Sequence, residues 1–180
     1  MAERNCFIRQ FKLAVAAALL PLLAACAGPA PEVRAPVEVK LLAFNDFHGY
    51  LTPPFSGVRQ IAPDPAGVRT MIPAGGIEHL ATLVTTLRAK NPRTALVSAG
   101  DLVGASPLIS SFFDDEPTVQ AMNRIGLDFN GVGNHEFDHG SAELQRLQTG
   151  GCGAGGCKSG MPFEGARFGI LAANVVVRKT

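Results

Sequence analysis

The chain has 180 residues, 47% of them hydrophobic and 17% charged, with a formal net charge of +1. Lysine and arginine do not gather on any one stretch, so no basic field of the size a nucleic-acid polymer needs is present in the sequence. The mean hydropathy of +0.19 owes much to the first 25 residues, and the rest, about 150 residues, suffices for one domain-sized core.

Arg4, Arg9 and Lys12 precede an apolar run, Leu13 to Ala25, rich in Ala and Leu. Too short to span a bilayer comfortably, residues 1–25 read as an export signal peptide. Leu22-Leu23-Ala24-Ala25-Cys26 resembles a bacterial lipoprotein cleavage box, which makes Cys26 the expected lipidation site and first residue of the mature protein. The alternative is an ordinary leader cut near Ala25 or Ala27, with Cys26 incidental. Ala27, where an aspartate would otherwise stand, resembles an outer-membrane sorting signal in a Gram-negative cell. Residues 26–36, with Pro29, Pro31 and Pro36, then form an extended tether. The expected location is the periplasmic side of the envelope, with a lipid anchor in the outer membrane.

Residues 37–180 alternate strand and helix patterns, which implies a parallel sheet with crossover helices. Val39 to Phe44 reads as the first strand. Residues 50–75 hold five prolines without sustained periodicity and are expected to form an irregular loop. Ile77, Leu80, Leu83, Val84 and Leu87 recur at helical spacing until Asn91-Pro92; His79, in the first turn of that helix, reads as a surface or rim residue. Ala95 to Ala99 is the next strand, and Pro117 to Ile125 the next helix, with Gly126 beyond its end. Asp114, Asp115 and Glu116 precede this helix and read as capping and solvating charges. Leu127 to Val132 is a third strand, Ser141 to Gln148 a helix begun at a Gly140-Ser141 cap, and Phe168 to Val177 a last strand. Cys152 and Cys157 are expected to form a small disulfide loop, because a zinc clip would need further ligands that the local sequence lacks.

The first three strands share a design. Each runs into polar residues: Asn45-Asp46-Phe47-His48-Gly49, Gly100-Asp101, and Gly133-Asn134-His135-Glu136-Phe137-Asp138-His139-Gly140. In open α/β sheets ligands bind at that edge. Asp46, His48, Asp101, Asn134 and His135 mix carboxylate, imidazole and amide carbonyl without a cysteine, a donor set suited to divalent Zn, Mn or Fe. Strand periodicity places Asp46 and His48 on one side of the backbone. Asp101 has two oxygens and could bridge two ions about 3.5–4 Å apart.

These blocks, in this order and with the flanking Phe44-Asn45-Asp46-Phe47-His48-Gly49 and Gly100-Asp101-Leu102-Val103-Gly104-Ala105-Ser106-Pro107, resemble the calcineurin-like metallophosphoesterases. Their wording is similar to the bacterial 5′-nucleotidase and 2′,3′-cyclic-nucleotide phosphodiesterase branch. The resemblance implies the N-terminal part of an αββα sandwich that hydrolyses nucleotide phosphate esters at a dinuclear centre of Zn, Mn, Co or Fe. Metal ligands would be Asp46, His48, Asp101 and Asn134. His135 would be the catalytic histidine that stabilises the transition state or protonates the leaving oxygen, and Asp138 its orienting partner. Glu136 would be structural, and His139 would sit behind the ligands or be exposed. The partner would be a nucleotide or cyclic nucleotide, with the membrane met only through Cys26. The family pattern continues with a Gly-His-x-His block and a nucleoside-gripping domain, while this sequence has no histidine after His139. The expectation is therefore a truncated N-terminal portion of the metallophosphoesterase domain with a poorly completed second ion position, the alternatives being an inactive metal-binding fragment or an exported binding domain.

Overall fold

A computed structural model describes residues 35–59 and 65–176. The leader, Cys26 and most of the tether lie outside these residues, as does Val177. The chain divides into two compact units, Met1–Val37 and Glu38–Thr180, and every element below belongs to the second.

In chain order the strands are β1 (Lys40–Phe44), β2 (Val58–Arg59), β3 (Met71–Ile72), β4 (Thr94–Ser98), β5 (Phe129–Gly131) and β6 (Gly169–Leu171). The helices are α1 (Gly76–Lys90), α2 (Leu108–Ser111), α3 (Glu116–Ile125) and α4 (Gly140–Thr149), with a 3₁₀ turn at His135–Phe137. Strands β1, β4, β5 and β6 form one parallel sheet in the order β1-β4-β5-β6. The three strands expected to carry polar ends are thus neighbours, with β4 in the middle.

Register explains which side chains meet the helices. Leu42 and Phe44 pair with Leu96 and Ser98, and Asn130 with Ile170. Leu42, Phe44, Leu96 and Ile170 belong to the core, with Val84 of α1, Val119 and Met122 of α3, and Leu147 of α4. The alternate residues face the other way: Leu41, Phe129 and Leu171 remain 64%, 47% and 56% exposed. Among the described residues helices therefore cover one face of the sheet and leave the apolar alternate face open. Arg88 ties α1 to the end of α3 by donating to the carbonyls of Ile125 and Gly126 at 2.8 and 2.6 Å. Arg146 of α4 reaches Glu116 Oε1 and Glu143 Oε1, both at 2.7 Å. Its guanidinium pKa is raised, first by hydrogen bonding to Glu143 and also by Glu116.

Several expected boundaries move for local reasons. The third strand is shorter than Leu127–Val132 because the Leu127 amide donates to the Met122 carbonyl at 3.0 Å, closing α3 before β5 starts. The last strand stops at Leu171, where Val175 N–H turns back to Ala172 O at 3.1 Å. A short helix, α2, forms after Pro107 in a stretch that lacks helical periodicity. The proline-rich loop contains the two-stranded antiparallel sheet of β2 and β3. At the start of α4 the capping position is His139, not Gly140-Ser141, and it makes no side-chain cap. Cys152 and Cys157 are bonded, with Cα atoms 4.5 Å apart. Among the described residues no helix is long and apolar enough to cross a membrane.

Candidate metal centre

Beyond the ends of β1 and β4, backbone pairing continues into the loops. Ala99 N–H donates to Phe44 O at 2.9 Å, Asp46 N–H to Gly100 O at 3.1 Å, and His48 N–H to Asp101 O at 3.0 Å. The three residues expected as ligands here take left-handed backbone: φ is 53° at Asp46, 47° at His48 and 51° at Asp101. Aspartate and histidine tolerate this region better than most residues, yet non-glycine residues there cluster at functional sites. Asp46 and His48 are therefore brought together by turn geometry and not by strand pleat, with His48 Nε2 3.8 Å from Asp46 Oδ1. Asp46 also accepts from the Asn45 side-chain amide.

His48, Asp101 and His135 converge, each offering one ligand atom, all within 4.8 Å of one another. The His48 and His135 rings meet edge to face, with centroids 4.9 Å apart. His48 Nδ1 donates to Gly104 O at 2.9 Å, which commits the proton to Nδ1 and leaves Nε2 with its lone pair free. Asp101 Oδ1 accepts from the His135 amide at 3.0 Å and lies so close to Gly133 that a Cβ there would overlap it. Only glycine fits at position 133. Asp46 is 55% exposed and stands beside this triad without joining it. Asn134 is exposed at the start of the 3₁₀ turn. Two imidazoles and a carboxylate fit a divalent ion of the Zn, Mn, Co or Fe type.

His135 Nδ1 meets Asp138 Oδ2 at 2.7 Å. That hydrogen bond is the main reason the His135 pKa is raised; the charges of Asp138, Asp101 and Glu136 add to it, and burial opposes it.

Glu136 is 4% exposed. Its Oε2 accepts from the amides of Asp101 at 2.9 Å and Gly133 at 2.7 Å; its Oε1 accepts from the Leu102 amide at 2.8 Å and Asn130 Nδ2 at 3.2 Å. One carboxylate thus sews the β4 loop to the β5 loop. Asp115 and Glu116, expected to be solvating charges, are 7% and 3% exposed. The solvating part of that expectation is overturned, because both carboxylates find buried donors: Gly104 N–H and Ser110 Oγ for Asp115, and Arg146 for Glu116; Asp115 does stand at the capping position of α3, though without a side-chain cap. A cluster of acids before a proline-led helix reads as a cap in the sequence, and nothing local announces the partners. His139 and His79 are exposed, and His79 Nδ1 donates to Gly75 O at 2.7 Å within its own helix.

No family model matches the chain. A protein of Acinetobacter calcoaceticus, named only as an uncharacterized protein in the pqq-V 5′ region, is 49% identical over 152 residues, 82% of this chain and 74% of its own. Endonuclease YhcR of Bacillus subtilis is 34% identical over 84% of the chain, and the NAD 5′-nucleotidase of Haemophilus influenzae 27% over 90%. The solved H. influenzae NAD nucleotidase superposes with a TM-score of 0.60 at 27% identity, covering 79% of this chain and 22% of that one. A 5′-nucleotidase precursor from Thermus thermophilus gives 0.54 at 26%, covering 76% and 22%. The chain belongs to the calcineurin-like metallophosphoesterases. It matches the N-terminal portion of the 5′-nucleotidase branch, spanning 12% of the YhcR endonuclease and 23% of the NAD 5′-nucleotidase. The parallel sheet places polar loops side by side, and on the ledge above β1, β4 and β5 the chain gathers His48, Asp101 and His135.

Proposed function

We propose that this chain carries the catalytic edge of an exported enzyme that hydrolyses phosphate esters of nucleotides, of the 5′-nucleotidase or 2′,3′-cyclic-nucleotide phosphodiesterase type. The observation that carries the reading is the convergence of His48, Asp101 and His135, with each imidazole Nδ1 already committed, to Gly104 O and to Asp138. His48 and Asp101, with Asp46 and Asn134 beside them, would hold divalent ions. Such ions supply charge neutralisation on phosphoryl oxygens and acidify an attacking water. Asp138 takes His135 Nδ1 and so fixes the ring, which leaves Nε2 as the atom whose proton can be given to the leaving oxygen. Gly133 and Glu136 hold Asp101 and the His135 amide in register, so that the carboxylate and the ring approach the same point. Leu102 and Val103, which follow Asp101, are buried in the core at 2% and 6% exposure and anchor its loop.

The leader pattern supports export, with Cys26 lipidated and the enzyme on the periplasmic face of the outer membrane. Mass spectrometry of the exported protein then finds an acylated Cys26 at its N-terminus; an unmodified start elsewhere removes the anchor.

Phosphate release from nucleoside monophosphates and 2′,3′-cyclic nucleotides, measured with Mn²⁺, Zn²⁺ or Co²⁺, tests the activity. His135→Ala should lower the rate by about 10²–10⁴-fold while ion binding persists, and Asp101→Ala should lower both. A second reading, ion binding without turnover, is favoured by the fact that only three ligand atoms converge among the described residues, which forms one ion position. Ion binding that depends on His48 and Asp101, with no phosphate released, selects it.

A further inference from the structure

Gly104 sits where three parts of the ledge meet. Its φ is 83°, and a Cβ there would lie 2.7 Å from His135 Cβ and 2.9 Å from Asp138 Oδ2, so the backbone passes directly beneath the catalytic pair. Its carbonyl accepts from His48 Nδ1 at 2.9 Å. Its N–H donates to Asp115 Oδ2 at 3.0 Å. Asp115 is 7% exposed and takes a left-handed φ of 60°, and its other oxygen accepts from Ser110 Oγ at 2.6 Å. Ser110 in turn lies 2.6 Å from Thr118 Oγ1, and both are fully buried. With the Ser110 proton given to Asp115, Thr118 must be the donor to Ser110. Hydrogen bonds therefore run from Thr118 through Ser110 and Asp115 to the Gly104 N–H, and the carbonyl on the other side of the same Cα takes the His48 ring.

We propose that Asp115 is a positioning residue for His48, acting by anchoring the Gly104 backbone to hold the imidazole in the tautomer and orientation that present Nε2 to a divalent ion. The inference rests on the proposed metal-binding role of His48. Two physical effects carry it. The Asp115 carboxylate holds the Gly104 N–H by a charge-assisted hydrogen bond, which pins the backbone that carries, one Cα further on, the carbonyl accepting from His48 Nδ1. The left-handed turn at Asp115 and the buried Ser110–Thr118 pair fix the carboxylate itself, so Gly104 cannot drift away from the ring. A buried carboxylate held by two neutral donors, with no cation beside it among the described residues, is otherwise a costly choice for a loop.

The test is a cycle of variants read by ion titration and by NMR of the metal-free protein. Asp115→Ala should weaken Mn²⁺ or Zn²⁺ binding by about 10–100-fold, the range found when the group that orients a ligating histidine is removed. In a His48→Ala background the same substitution should change affinity less than about twofold, because the path ends at His48. Asp115→Asn keeps an oxygen for Gly104 N–H and can donate to Ser110 Oγ, so it preserves the fold and should restore most of the affinity lost in Asp115→Ala. Nitrogen-15 spectra should place the His48 proton on Nδ1 in the wild type and shift it toward Nε2 in Asp115→Ala. An equal loss in both backgrounds, or a His48 tautomer indifferent to Asp115, overturns the relay. Ion binding unaffected by His48→Ala fails earlier, at the assignment of His48 as a ligand, and takes the relay with it.

Discussion

Leu96, Val119 and Met122, below the strand ends, are 1%, 3% and 0% exposed and are held by apolar neighbours; Glu136 and Asp115, above the strand ends, are 4% and 7% exposed and are held by the donors they accept from. Apolar burial depends on area and tolerates small shifts in direction. Hydrogen bonds to a carboxylate do not, since they weaken steeply as the angle opens. The body of the fold thus rests on a force that fills space, and the ledge on one that fixes positions. Bringing His48, Asp101 and His135 to one point needs the second kind, and the two buried carboxylates of the ledge supply it by tying loop to loop.

Removing core volume should break the body and spare the ledge. Leu96→Ala is expected to cost about 2–5 kcal/mol of stability, the range for deleting a buried leucine side chain, measured by denaturant unfolding. Molecules that remain folded should bind divalent ions within about twofold of the wild type. A large affinity change would mean that the two regions are not separable.

Glu136→Gln attacks the ledge in return. If the new amide nitrogen takes the Oε2 position, it faces the amides of Asp101 and Gly133, both donors. If it takes the Oε1 position, Asn130 can flip and offer Oδ1, which has no partner now, leaving only the Leu102 amide opposed. The second arrangement costs less, about 1–3 kcal/mol for one buried unsatisfied donor. Ion affinity should fall along with stability here, because Asp101 and His135 are registered through this carboxylate. Unfolding and ion titration on the same variant check the pairing; stability lost with affinity intact would make Glu136 a brace for the fold alone.

Much of the body was legible in the sequence because its signals are periodic. Ile77, Leu80 and Val84 announced α1, and three apolar runs ending in Asp46, Asp101 and Asn134 announced three parallel strands with one functional edge. What could not be read was nonlocal. Asp115 and Gly104 are eleven residues apart and Gly104 and His48 fifty-six apart, and no pattern in one loop records what another loop will donate to it. The Asp46 and His48 pairing was reached by strand periodicity, whereas both residues lie in a left-handed turn where that period does not apply. His135 was separated from the ligands by family likeness; its ring stands within the same 4.8 Å triad as His48 and Asp101.

The two faces of β1 offer a gentler version of the comparison. Leu41 is 64% exposed on the open face, so Leu41→Ala should change the stability of this chain by about 0.5 kcal/mol or less. Leu42, one residue on, packs against the core, and Leu42→Ala should cost several times more. Equal costs would mean that the open face is covered in solution.

The smallest effect is electrostatic and concerns His135. The Asp138 carboxylate favours the imidazolium, so the folded pKa lies above the ordinary histidine value. A group raised in this way adds stability that is fully present below its unfolded pKa and disappears as the pH rises through its folded pKa. In metal-free protein followed by NMR, His135 should therefore titrate at higher pH than a free histidine, and Asp138→Asn should bring the midpoint down. The carboxamide can still accept the Nδ1–H, which keeps the ring in place while removing the charge, so the orientation survives and only the proton affinity moves. Asp101→Asn should lower the midpoint less, since the Asp101 charge is a lesser cause than the bond to Asp138. A midpoint indifferent to Asp138→Asn would mean that Asp138 fixes the ring without setting its charge. His135 would then be oriented by Asp138 for proton transfer without that carboxylate favouring its imidazolium form.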